Sequence, residues 1–159
     1  QEARKEMWNF IRAHYSMIDA VKGHIYTGEP LAFLLDESQI QETIEPYFMA
    51  RIVDVAQFLR LYPFEGSIRP FHFVVTDPMA EWNNGIFSVA TDREGTVSVT
   101  DEPAGKAVEL DIQTLSAMLM GYKRPSYLAR IERLHTDKRT LRLLEEIIPD
   151  GQPYFSDYF

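Results

Sequence analysis

The chain contains no cysteine, which excludes disulfides, thiolate metal sites and a cysteine nucleophile together. It has no apolar run near the ~20 residues a membrane-spanning helix needs; the longest, Phe71-His72-Phe73-Val74-Val75, has the length of a strand. Basic residues are in deficit: 16 against 24 acidic ones give a net charge of -8, the wrong sign for non-specific nucleic-acid binding. No Gly-x-Gly-x-x-Gly or Walker-type loop cradles a phosphate, and no Gly-x-Ser-x-Gly elbow presents a serine. The four histidines, His14, His24, His72 and His135, never fall at i, i+4 on one helix, so no metal site is expected.

What is present suits an ordinary globular domain. Hydrophobic residues make up 45% of the 159 and aromatics 13%, enough to build a core and too much for a disordered chain. The mixed-charge start, Gln1-Glu2-Ala3-Arg4-Lys5-Glu6, is not a signal peptide. It also lacks an initiator Met, so we expect a chain that begins inside a longer protein; the lack of cysteine is compatible with a reducing, cytoplasmic setting.

Periodicity predicts a helix over Glu2 to Ala13 and a strand over Met17 to Ile25. Leu31 to Leu35 reads as a short helix, and Gln39 to Ile52 as a strand interrupted at Pro46. Asp54 is an N-cap for a helix over Val55 to Leu61, ended by Pro63. Strands follow over Arg69 to Thr76, Gly85 to Thr91, Thr96 to Thr100 and Val108 to Ile112, with Asp92-Arg93-Glu94-Gly95 as hairpin chemistry. Helices are predicted over Gln113 to Met120 with Gly121 at its end, Ser126 to Leu134, and Lys138 to Ile148. The order from about residue 54, helix then antiparallel strands then helices, is that of an α+β domain. Residues 1–47 do not repeat it and look like the closing elements of something else.

Few side chains point to chemistry. Trp82, in the turn Glu81-Trp82-Asn83-Asn84-Gly85, either packs on the sheet rim or faces a ligand. Leu115, Met118, Leu119 and Met120 are either core or, with Phe73, the lining of an apolar cavity. The pairs Asp36-Glu37 and Glu145-Glu146 read as solvated. The ending, Pro153-Tyr154-Phe155-Ser156-Asp157-Tyr158-Phe159, is different in kind. Ends are cheap to leave disordered, yet burying each aromatic would contribute roughly 1.5–3 kcal/mol. Such a tail either plugs a groove or holds its α-carboxylate, ionised at neutral pH, at a defined place.

Three strings resemble the Eis-like (enhanced intracellular survival) acetyltransferases of the GNAT superfamily. They are Pro46-Tyr47-Phe48-Met49-Ala50-Arg51-Ile52-Val53-Asp54-Val55 with Phe58-Leu59 and Tyr62-Pro63-Phe64, then Asp111 to Tyr122, then the ending itself. The resemblance implies that 1–50 is the C-terminal end of a second GNAT-like domain. It implies that 51–159 is a domain of the sterol-carrier-protein type, an antiparallel sheet packed with helices. The catalytic GNAT domain, with its acetyl-CoA loop and its general-acid tyrosine, would lie upstream; Arg93-Glu94-Gly95-Thr96 is a turn and not that loop.

The resemblance assigns the catalytic carboxylate to Phe159, as a base for the substrate amine, and places Tyr158 and Asp157 beside the substrate. It implies acetyl-CoA as cosubstrate, bound outside this chain, and a small cationic amine as acceptor, aminoglycoside- or polyamine-like. It also implies the upstream GNAT domains as partners and a homo-oligomer, hexameric in the family, with no metal, nucleic acid or membrane. This chain alone should be inactive. Two other readings stay open: an apolar-ligand (lipid or sterol) binder and a purely oligomerising module.

Overall fold

A computed structural model describes residues 2–25, 40–45, 48–91 and 96–153. The chain divides into two compact units, Gln1–Glu42 and Thr43–Phe159.

In the first unit, helix α1 (Glu2–Ala13) forms where the apolar stripe predicts it, with Glu2 in its first turn and Arg12 in its last, as the helix dipole favours. Met7 and Phe10 on its stripe are exposed. The strand expected over Met17 to Ile25 is not there. Tyr15–Met17 is a single 3-10 turn, and 18–25 is irregular, without strand pairing. A strand exists only by bonding to a neighbour, and the described residues of this unit contain no other strand. The Leu31 to Leu35 helix lies outside the described residues. Of the strand expected over Gln39 to Ile52, residues 40–45 and 48–52 are irregular, and Ile44 and Met49 are almost fully exposed.

The second unit is α+β. Asp54 accepts the Gln57 amide at 2.9 Å and starts α2 (Val55–Leu61). Strands β1 (Phe71–Thr76), β2 (Gly85–Thr91), β3 (Val97–Thr100) and β4 (Lys106–Asp111) follow. Then come α3 (Ile112–Leu119), α4 (Pro125–Arg130), β5 (Leu134–His135) and α5 (Lys138–Ile147). Asp111 and Asp137 cap α3 and α5 by accepting the amides of Thr114 and of Arg139 and Thr140. Asp111 is also the last residue of β4, so strand passes into helix with no loop.

The sheet order is β3-β2-β1-β4-β5. Three of its four pairings are antiparallel, as expected, but β1 and β4 run parallel, with Phe73 beside Val108 and Val75 beside Leu110. The alternation of β1 sends Phe71, Phe73 and Val75 to one face, where Leu115, Met118, Leu128, Leu144 and the α2 residues Val55 and Leu59 close over them. The parallel pairing requires the chain to pass from β3 across β2 and β1. It does so through 101–105, pinned by residues of the opposite sheet face: Ser88 Oγ donates to the Glu102 carbonyl and accepts the Ala104 amide at 3.0 Å, and His72 Nδ1 bonds the Ala104 carbonyl at 3.0 Å. Thus His72 holds a crossing strand connection.

The helix expected over Ser126 to Leu134 is shorter. It stops at Arg130, Glu132 adopts φ 59°, and Leu134 is buried as part of β5. Two residues are too few to show a strand period. The Asp92-Arg93-Glu94-Gly95 turn lies outside the described residues, although β2 and β3 pair as it requires.

Candidate functional site

The three residues assigned to the active site, Asp157, Tyr158 and Phe159, lie outside the described residues. The structure does describe where the tail starts. Helix α5 ends at Ile147, and the chain leaves it through Ile148, Pro149 and Asp150 to Pro153.

Arg124 governs that departure. As the N-cap residue of α4, followed by Pro125 at the first helical position, it points its guanidinium at the end of α5. Its Nε donates to Glu145 Oε2 at 2.9 Å, one terminal nitrogen to the carbonyls of Ile148 and Pro149 at 2.9 and 3.1 Å, and the other to the Glu145 carbonyl at 2.6 Å. These are carbonyls of a helix C-terminus and the chain just beyond it, where orphan acceptors and the negative dipole end favour a cation. Glu145 completes the clamp by accepting the Ser126 amide at 2.6 Å. Burial works to raise the Glu145 pKa, but hydrogen bonds from Ser126 and the adjacent Arg124 outweigh it and hold the carboxyl below its ordinary range. The Glu145-Glu146 pair therefore splits: Glu146 is exposed, whereas Glu145 is half-buried and committed.

Beyond Asp150 the chain runs over Gly121. This residue has φ +77°, and a Cβ on it would collide with the Gly151 carbonyl oxygen, so only glycine lets the two backbones approach this closely. Alongside lies an apolar groove of about 280 Å³ lined by Tyr62, Pro63, Leu119, Met120, Pro149 and Pro153. Burial pushes the Tyr62 phenol up to about 12, Arg124 opposing and Glu65 adding to the effect.

A second polar cluster secures the junction segment. One guanidinium nitrogen of Arg51 contacts both carboxylate oxygens of Asp77 at 2.6 Å. Asp77 also accepts from Asn83 Nδ2 at 2.9 Å and from the amides of Met79 and Ala80. Burial works to raise its pKa, but the Asn83 and Met79 bonds and the Arg51 charge prevail and bring it down to about 2. Asn83 meanwhile accepts the Val55 amide and donates to the Val53 carbonyl, which Trp82 Nε1 also contacts at 2.8 Å. Trp82 is otherwise exposed, and Asn84 spans the Asp77 backbone rather than only shaping a hairpin. Ser116 accepts the Ile52 amide at 3.1 Å. Thus 51–55 is fastened to the sheet and to α3.

Sequence reading missed Arg124 and Asp77. Arg124-Pro125 ahead of a helix was a visible signal for the first; nothing local marks the second, whose Arg51 partner is 26 residues away.

Phe73, Leu115, Met118 and Leu119 are all buried in one core cluster and fill its interior against their neighbours. Helices α2, α3 and α5 each present an Asp cap at the N-terminus, where a pyrophosphate would meet a carboxylate already bonded to the free amides. These termini do not suit acetyl-CoA. Among the described residues no group of His, Asp and Glu could hold a metal ion, and no helix is long and apolar enough to cross a membrane.

Comparison with known proteins places this geometry. Residues 55–156 match the sterol carrier protein domain, and residues 1–52 match an acetyltransferase (GNAT) domain. A conserved protein of Enterococcus faecalis, described as a probable N-acyltransferase, is 33% identical with a TM-score of 0.73, over 84% of this chain and 34% of that one. A GCN5-related N-acetyltransferase from Anabaena variabilis is 26% identical with a TM-score of 0.72, over 92% and 38%. Eis1 from Mycobacterium abscessus shares the fold at 22% identity and a TM-score of 0.67, over 93% and 39%. The chain thus spans little more than a third of the length of these structures. A search of curated proteins gives no match. The chain belongs to the sterol carrier protein domain family and, with the GNAT-type segment before it, resembles the C-terminal part of an Eis-like GNAT-superfamily acetyltransferase.

Proposed function

We propose that this chain is the C-terminal part of an acetyl-CoA-dependent N-acetyltransferase for small cationic amines, polyamine- or aminoglycoside-like. On this reading residues 1–50 close a second GNAT-like domain and 51–159 form the sterol-carrier-type domain. The carboxylate of Phe159 serves an active site in an upstream GNAT domain, with Tyr158 and Asp157 beside the substrate. The protein works as a cytoplasmic homo-oligomer, acetyl-CoA binds outside this chain, and the chain by itself is inactive.

The observation that carries this reading is the fixed origin of the tail. Arg124 and the Gly121–Gly151 contact hold the chain from Glu145 to Gly151, the last described stretch before the tail. A base must come within hydrogen-bond reach of its proton. In the reaction the carboxylate draws in the ammonium group and accepts its proton, directly or through water. The neutral amine then attacks the thioester carbonyl, the C–N bond forms, the C–S bond breaks, and the CoA thiolate leaves and is protonated. A carboxylate is a weak base toward an ammonium, so its attraction for the cation counts as much as its basicity. The packed core around Phe73 and Leu115 does not favour the lipid-carrier alternative.

The test is acetyl transfer to a panel of polyamines and aminoglycosides by the full-length protein, with the natural end and with one glycine appended after Phe159. Collapse of kcat on adding glycine supports the reading. Equal activity makes the tail a plug. No transfer to any acceptor removes the enzyme reading for this panel.

A further inference from the structure

We propose that β3 is a dimerisation edge, pairing antiparallel with β3 of a second copy about a two-fold axis at Ser98. This names a surface for the homo-oligomer of the functional reading above, and rests on that reading only for there being more than one copy.

β3 (Val97–Thr100) is an end strand of the sheet, bonded to β2 and to no other strand among the described residues. Ser98 stands opposite Ala90, whose carbonyl accepts the Ser98 hydroxyl at 3.2 Å and so is turned toward β3. Antiparallel pairs alternate between hydrogen-bonded and non-hydrogen-bonded. Ser98 and Thr100 therefore turn their backbone groups to β2, and Val97 and Val99 turn theirs outward. Outward N–H and C=O groups are the template that a further strand needs.

Sheets guard such an edge with lysine, proline, inward charge or shortness. The opposite edge, β5, has two residues and is guarded by shortness. The run Thr96-Val97-Ser98-Val99-Thr100 contains neither a charge nor a proline, and it reads identically in both directions about Ser98.

A two-fold contact joins residue i to j and j to i. Centred on Ser98, it sets Val97 against Val99 of the second copy and Thr96 against its Thr100. The valines carry the outward groups, so both Val97–Val99 pairs exchange N–H···O bonds, and Ser98 meets its equivalent in a close non-hydrogen-bonded pair. A register one residue off would face outward groups with inward ones. Hydroxyl and β-branched pairs of this kind stabilise cross-strand contacts.

Charge favours the same place. A net charge of -8 opposes self-association, and least where two copies meet through an uncharged run. Asp101, exposed just past the run, is three positions from the axis. Its two copies would stand about 20 Å apart at roughly 3.4 Å per residue, about two Debye lengths or more at physiological salt.

The experiment exploits the lack of cysteine, since one introduced thiol reports only its own neighbours. The 159-residue chain is compared with Ser98→Cys, Thr100→Cys and Ser98→Lys by sedimentation velocity over a dilution series. The cysteine variants are also oxidised mildly and run on a non-reducing gel. The native chain should form a dimer that dissociates on dilution. Ser98→Cys should become a covalent dimer, because Cα atoms about 4.5 Å apart in such a pair lie within disulfide range. Thr100→Cys should stay uncrosslinked, its two sites lying roughly 14 Å apart along the strands. Ser98→Lys sets like charges face to face at the axis and should sediment at half the native mass with an unchanged circular dichroism spectrum.

A native chain that is monomeric at every concentration overturns the proposal. So do equal crosslinking of the two cysteine variants and native mass for Ser98→Lys. If Ser98→Lys fails to fold, the cysteine pair decides alone. Acetyl transfer by the full-length protein is a separate readout: failure of the β3 contact leaves the enzyme reading in place. A Ser98-linked dimer without transfer removes the enzyme reading and leaves this edge.

Discussion

Gly121, just past the end of α3, lies directly beneath the Gly151 carbonyl, at a φ of +77° and without room for a Cβ. One glycine thus satisfies two demands: it ends a helix in the left-handed region and lets the departing tail pass over it.

Gly121→Ala should therefore cost more than a left-handed glycine elsewhere. Gly66 has a similar φ, +70°, but open space around its Cβ position. Gly66→Ala should lose about 1–2 kcal/mol from backbone strain alone, and Gly121→Ala should lose more, because the Gly151 carbonyl must also move. Urea unfolding of the two variants measures the difference; equal losses would show that the Gly151 contact yields freely.

Asp77 makes stability depend on acid. Its folded pKa, about 2, is below the unfolded value of roughly 4. The unfolded state therefore takes up more protons between those two values. The contribution is present above about pH 4 and is lost as pH falls toward 2. Asp77→Asn should melt lower than the native chain at pH 7, and the gap should narrow steadily below pH 4. Thermal unfolding in steps from pH 7 to 2 checks this; a constant gap would mean the ionised form of Asp77 is not what matters.

Tyr62 acts at the other end of the scale. Its folded pKa, about 12, is above the unfolded value of roughly 10. Stability from the buried neutral phenol is complete below pH 10 and is lost as pH rises through 12. In an ultraviolet titration the Tyr62 phenol should ionise in a late step near pH 12, and Tyr62→Phe should remove its contribution there. Persistence of the late step in the variant would assign it to another tyrosine.

The core around Leu115 should behave as a solid interior. Leu115 is fully buried among Phe73, Met118 and Leu119. Leu115→Ala should cost about 2–5 kcal/mol, the usual penalty for an unfilled space of that size. A fluorescent fatty-acyl probe should show no saturable binding to the native chain. Saturable binding displaced by unlabelled fatty acid would revive the lipid-carrier reading.

The chain alone determined what depends on neighbours a few residues away. Alternation and β-branching delimited Gly85–Thr91, the apolar stripe delimited Glu2–Ala13, and Asp54 announced the start of α2, because strand period, helix period and caps are local effects. Absence of cysteine and of glycine-rich loops closed off whole classes of chemistry without any structure. Tertiary structure decided the rest. The alternating residues at 17–25 formed no strand, for a strand needs a partner, and two residues at 134–135 formed one because β4 supplied it. The parallel pairing of β1 with β4 was set by a five-residue crossing that His72 and Ser88 secure from the far face. Arg51 and Asp77, or Arg124 and Glu145, stand 26 and 21 residues apart, and no local pattern selects such partners. They are chosen by which backbone ends the folded core brings together with unmet hydrogen bonds.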